Sequence, residues 1–158
     1  MEEKNKSSNN MKIEFTKKQF EELLKVAYLG NWMANAIHNG TQEDPQYENI
    51  DGIEDYIFSF AKEFGFENYV DYEDKYKKYF PTNEFDELVQ KFIEDYDEDC
   101  FWEELFYRIY DRDFERAYSD EEISKMEMKE RFKKEEPFRK KWDNEFNEHG
   151  IERLEIKE

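Results

Sequence analysis

Between positions 85 and 96 the apolar residues Phe85, Leu88, Val89, Phe92, Ile93 and Tyr96 step by three, one, three, one and three. That rhythm places them on one stripe of an α-helix, capped by Thr82 or Asn83 after Pro81. The same spacing recurs elsewhere. Phe20, Leu23, Leu24, Ala27, Tyr28, Ala34 and Ile37 predict a helix over 17–38, opened by a capping box of Thr16 and Gln19 and closed by Gly40. Gly30 inside it marks close approach of a neighbour or a local break, at about 1 kcal/mol relative to Ala. After a loop over 39–46, Ile50, Ile53, Ile57, Phe60, Ala61 and Phe64 predict a second helix with Gly65 as its cap. Tyr72, Tyr76 and Tyr79 suggest a short helix within 67–79.

Beyond the 83–97 helix, the acidic run 95–99 reads as a turn, followed by a helix carrying Phe101, Trp102, Leu105, Phe106, Ile109 and Tyr110. A second capping box, Ser119 with Glu122, starts a helix through Ile123, Met126 and Phe132. Pro137 suits the first turn of a last helix through Phe138, Trp142 and Phe146, stopped by Gly150. Residues 1–10 read as a disordered tail. Ile13 and Phe15 alternate with polar residues, as do Leu154 and Ile156, so the terminal segments could pair as a two-stranded ribbon. The expected architecture is a mostly all-α single domain over 11–158, with five to seven helices and that terminal ribbon.

Composition changes this picture in one respect. Aromatic residues make up 18% of the chain, enough apolar bulk to order a small domain despite 42% charged residues. Acids outnumber bases 42 to 24, for a net charge of −18. The excess is concentrated: 84–122 holds sixteen acids against Lys91, Arg108, Arg112 and Arg116. Such a field repels nucleic acid and anionic membrane and attracts basic protein surfaces. The polar N-terminus lacks the apolar stretch of a signal peptide. No run reaches the roughly 18 apolar residues of a membrane span, and Cys100, the only cysteine, forms no internal disulfide. A cytoplasmic protein is expected.

Candidate chemistry is sparse. The 95–99 run begins like a calcium loop, but Cys100 stands where the turn glycine belongs and Phe106 where a bidentate Glu is needed. His38 and His149 lack the Glu-x-x-His context of a di-iron site, and Cys100 with these two distant histidines has no nucleophile signature. The five glycines are scattered, leaving no phosphate loop, and Lys and Arg in 125–141 are interleaved with Glu, leaving no stripe for direct nucleic-acid binding. Glu84 with Glu87, and Glu94 with Asp97, place carboxylate pairs on helix faces. They resemble the Mg²⁺-binding motif of all-α nucleotide pyrophosphohydrolases, with a gap short for two facing helices. This enzymatic alternative would use those four carboxylates as metal ligands.

The leading expectation is non-enzymatic and needs no cofactor. Glu94, Asp95, Asp97, Glu98, Asp99, Glu103, Glu104 and Asp111 would form an acidic face on two adjacent helices. Rows of carboxylates can imitate duplex phosphates and occupy the basic groove of a nucleic-acid-binding protein. The plain alternative is a solubilising surface.

The segments MKIEFTKKQFEELLKVAYLGNWMANAI and KKEEPFRKKWDNEFNEHGIERLEI resemble a family of acidic helical bacterial proteins of similar length and unknown function. The likeness runs from Met11 onward and implies a free-standing helical domain, with no activity attached. In charge distribution the chain is also similar to acidic phage-encoded inhibitors of restriction or CRISPR systems.

Overall fold

The computed structural model describes residues 12–155. The body is mostly helical, 67% in helices, with five α-helices and one two-stranded antiparallel sheet among the described residues. The order is α1 (Lys17–Asn35), α2 (Glu48–Phe58), a 3₁₀ turn (Ala61–Phe64), β1 (Val70–Glu73), β2 (Lys78–Pro81), α3 (Asn83–Ala117), α4 (Asp120–Lys125) and α5 (Met128–His149). The chain divides into two compact units, the first ending at Ile93 and the second beginning at Glu94. The tail expected over 1–10 lies outside the described residues.

The first unit packs α1, α2, the ribbon and the start of α3 around Phe20, Leu24, Phe58, Phe66, Phe85 and Val89. Burying each such side chain contributes roughly 1.5–3 kcal/mol, and ring geometry adds to it. Phe58 meets Phe85 edge-on at 5.6 Å, and Phe20 stacks on Phe64 at 3.9 Å. The Thr16–Gln19 capping box is present in full at the start of α1. Gly65 ends the 3₁₀ turn with φ 74°, a left-handed conformation that glycine alone adopts without steric cost.

Several local expectations need correction. The ribbon is formed by 70–81 rather than the terminal segments: Ile13, Phe15 and Leu154 are not in strands, and Ile156 lies outside the described residues. The short helix expected through Tyr72, Tyr76 and Tyr79 is this hairpin instead: Tyr72 lies opposite Tyr79 with their rings 4.9 Å apart, and Tyr76 is in the turn. Lys77, at φ 53°, takes the left-handed position that closes the hairpin. An aromatic every few residues suits either period, and Tyr79 N–H donating to the Asp55 side chain at 2.7 Å fixes β2 against α2. Gly30 meets no neighbour within 4 Å of a Cβ position and sits in unbroken helix. On α2, Ile53 is 59% exposed while Glu54 is buried.

The second unit packs the C-terminal part of α3 with α4 and α5. Phe114 is fully buried and meets Phe138 edge-on at 5.8 Å. Arg139 lies over the rings of Phe106, Tyr107 and Tyr110. Asp113 accepts from Arg112, Lys141 and the Trp142 indole at 2.8–3.1 Å. Burial pushes its carboxyl up, but these donors outweigh that and hold it below its usual range. The Ser119–Glu122 capping box opens α4 as expected. Pro137 does not begin a helix; it lies inside α5. Ion pairs spaced i,i+4 brace the helix before it and across it: Glu130 with Lys134 and Arg131 with Glu135 precede it, and Glu136 with Lys140 spans it.

Candidate functional site

The acidic run 95–99 is helical. It contains no Gly or Pro to break the backbone, so the two expected helices are one, α3, of 35 residues. Successive residues on a helix turn by about 100°. The five carboxylates of 94–99, joined within two turns by Glu103 and Glu104, therefore encircle α3. The expected face on two adjacent helices becomes a ring around one.

All seven side chains are exposed. Seven carboxylates between 94 and 104 share about 15 Å of helix axis with no intervening Lys or Arg. That is one charge per about 2 Å, close to the one per about 1.7 Å of duplex DNA. Neutralisation is slight. Glu104 pairs with Arg108 at 2.9 Å, an exposed contact of small worth. Glu98 accepts the Trp102 indole N–H at 2.6 Å. Asp95, Asp97, Asp99 and Glu103 form no ion pair among the described residues.

Asp111 does not belong to this ring. It is half-buried beside Phe114, Ile123 and Arg131. The carboxylates of the enzymatic alternative fare worse. Glu84, Glu87, Glu94 and Asp97 all lie on α3, so no facing helix carries the second pair, and Glu84 accepts the Asn68 amide at 2.7 Å. Among the described residues no group of three or more His, Cys, Asp or Glu is placed to hold a metal ion. In the second unit Trp102 is half-buried and Tyr110 buried; in the hairpin of the first unit Tyr72 and Tyr76 are 50% and 61% exposed.

No family model, curated protein or solved structure matches this chain. Its function has to be argued from its own geometry.

A second polar site, in the first unit, escaped the sequence reading. Glu54 is buried against α1, where Asn31 donates an amide proton to it and, at 3.3 Å, to Asp51. Asp51 also pairs with Lys78 of β2. Asn35 donates to the Asn31 side chain and accepts from the Tyr47 backbone, both at 2.6 Å. Burial above all raises the Glu54 pKa from 4.5 to about 7; Asp51 and Asp55 add to this, and Asn31 and Lys78 oppose it. Tyr28, hydrogen-bonded to Asp86, is pushed up to about 12, first by burial and then by the Asp86 charge. Tyr28, Asn31, Asn35 and Glu54 border a cleft of about 220 Å³. Their signal in the sequence was a polar residue on an apolar stripe: Glu54 beside Ile50, Ile53 and Ile57, and Asn31 and Asn35 one turn apart. Every strong donor in the cluster is already engaged with an acceptor of the fold, so the arrangement ties α1, α2 and β2 together.

Proposed function

We propose that this chain is an acidic interaction protein whose α3 segment 94–104 engages a basic protein surface. In its narrowest form the segment occupies the groove of a DNA- or RNA-binding protein and excludes the nucleic acid, as an inhibitor of a restriction or CRISPR enzyme would. The observation carrying this reading is the linear density of exposed carboxylates on one helix. A single α-helix is thinner than a duplex, and α5 packs on one side of this stretch, so the segment fits a groove open to one face of the rod. A solubilising surface has no need of such concentration. It works equally well with acids spread over the whole molecule.

Competition measures this directly. A labelled 20-base-pair duplex is bound to each of a panel of restriction endonucleases, CRISPR effectors and nucleoid proteins, and the chain is added. Displacement from at least one member is expected. It should weaken steeply between about 50 and 200 mM salt and be lost in the Asp97→Lys, Glu98→Lys, Asp99→Lys variant. No displacement anywhere in the panel, or displacement indifferent to the charge reversal, would leave a solubilising role.

A further inference from the structure

Within the second unit, α3 and α5 enclose an open cleft of about 570 Å³. Its apolar lining is aromatic: Trp102 and Phe106 from α3 and Phe146 from α5. Trp102 and Phe146 stand 5.9 Å apart at 55°. The indole is held at both ends. Its N–H is bonded to Glu98 at 2.6 Å, and its far edge lies 3.6 Å from where a Cβ on Gly150 would sit. The charged lining has one sign. Asp99, Glu103 and Asp143 border the cleft, and no Lys or Arg does. None of the three forms an ion pair among the described residues. Asn147 spends its amide N–H on the Asp143 backbone carbonyl at 2.8 Å. Its side-chain oxygen remains able to accept a hydrogen bond.

An aromatic floor under a carboxylate rim selects among cations. A metal ion needs a shell of oxygens, and among the described residues no group of three or more His, Cys, Asp or Glu is placed to supply one. An ammonium gains from the rings as a point charge. A guanidinium gains more, because it stacks its plane on an indole and forks its N–H groups toward a carboxylate. The same unit already practises this chemistry internally, with Arg139 lying 5.8 Å from the Phe106 ring centre.

We propose that this cleft is an arginine-binding pocket, receiving one arginine side chain of the basic partner and setting the register in which α3 docks. The inference rests on the acidic-segment reading above and makes it specific. The ring of carboxylates draws the partner in, and Trp102, Asp143 and Asn147 discriminate.

The test uses the full-length ¹⁵N-labelled chain and two nonapeptides of equal charge, one built on arginine and one on lysine. With the arginine peptide, the Trp102 indole N–H and the Asn147 side-chain amide should shift, and affinity should exceed that of the lysine peptide about tenfold. Asp143→Asn, at an exposed position outside the 94–104 segment, should erase that preference while leaving the lysine peptide's weaker binding nearly unchanged. Equal affinities, with shifts confined to 94–98, would overturn the pocket and leave the acidic-segment reading standing. Binding of neither peptide would overturn both.

Discussion

Glu54 occupies a place on α2 that helical spacing assigns to an apolar side chain. It is 6% exposed and titrates near 7 instead of 4.5. Because its folded pKa is raised, the native state holds a proton that the unfolded chain releases at lower pH. The associated stability is complete below about 4.5 and declines as pH rises toward 7 and beyond. A shift of this size corresponds to about 3 kcal/mol at most. Glu54→Gln keeps the hydrogen-bonding shape without the charge. It should leave stability unchanged at pH 4 and raise it by up to about 3 kcal/mol at pH 8, read from urea unfolding at both values. Equal effects at the two pH values would show that Glu54 is not the titrating group. The residue types in this cluster were visible in the sequence, but their burial was not, because burial depends on which neighbour packs over each position.

At the level of elements, local chemistry decides the beginnings of helices more securely than their ends. Both capping boxes, Thr16–Gln19 and Ser119–Glu122, form where the residue pattern places them, since each motif is complete within four residues. Ends and breaks depend on more than composition. The acidic run 95–99, expected as a turn, stays helical: the apolar stripe continues on either side, and nothing in the run removes a backbone donor. Pro137 does remove one, and α5 passes through it all the same. Glycines show the same contrast. Gly30 is in open helix, so Gly30→Ala should stabilise by about 1 kcal/mol. Gly65 is left-handed at φ 74°, so Gly65→Ala should destabilise by about 1–2 kcal/mol. Thermal melts of the two variants should move in opposite directions. A common direction would contradict the assigned backbone.

For the whole molecule the governing quantity is the charge of −18. Self-repulsion within the 94–104 segment is long-ranged at low salt, where the screening length is about 30 Å at 0.01 M, and is cut to about 8 Å at 0.15 M. Adding salt over that range should stabilise the fold by about 1 kcal/mol, or about 2–4 °C in Tm. The Asp97→Asn, Glu98→Gln, Asp99→Asn variant should begin more stable at 0.01 M and gain less. A Tm indifferent to salt in the unmodified chain would mean that the ring of carboxylates carries no strain. Among the described residues no helix is long and apolar enough to cross a membrane.

The helical class, the capping positions and the location of the negative charge follow from the order of residues alone, because each rests on neighbours no more than a few positions apart. The pairing of β1 with β2, the continuity of α3, the burial of Glu54 and the meeting of Trp102 with Phe146 were decided only by tertiary structure. The burial of Glu54, the meeting of Trp102 with Phe146 and the seating of β2 on Asp55 depend on contacts between residues distant in the chain, and the run through 95–99 on the helix packing at both of its ends. Acid content marked where a partner would be drawn; the packing of α5 against α3 shaped the pocket proposed to receive it.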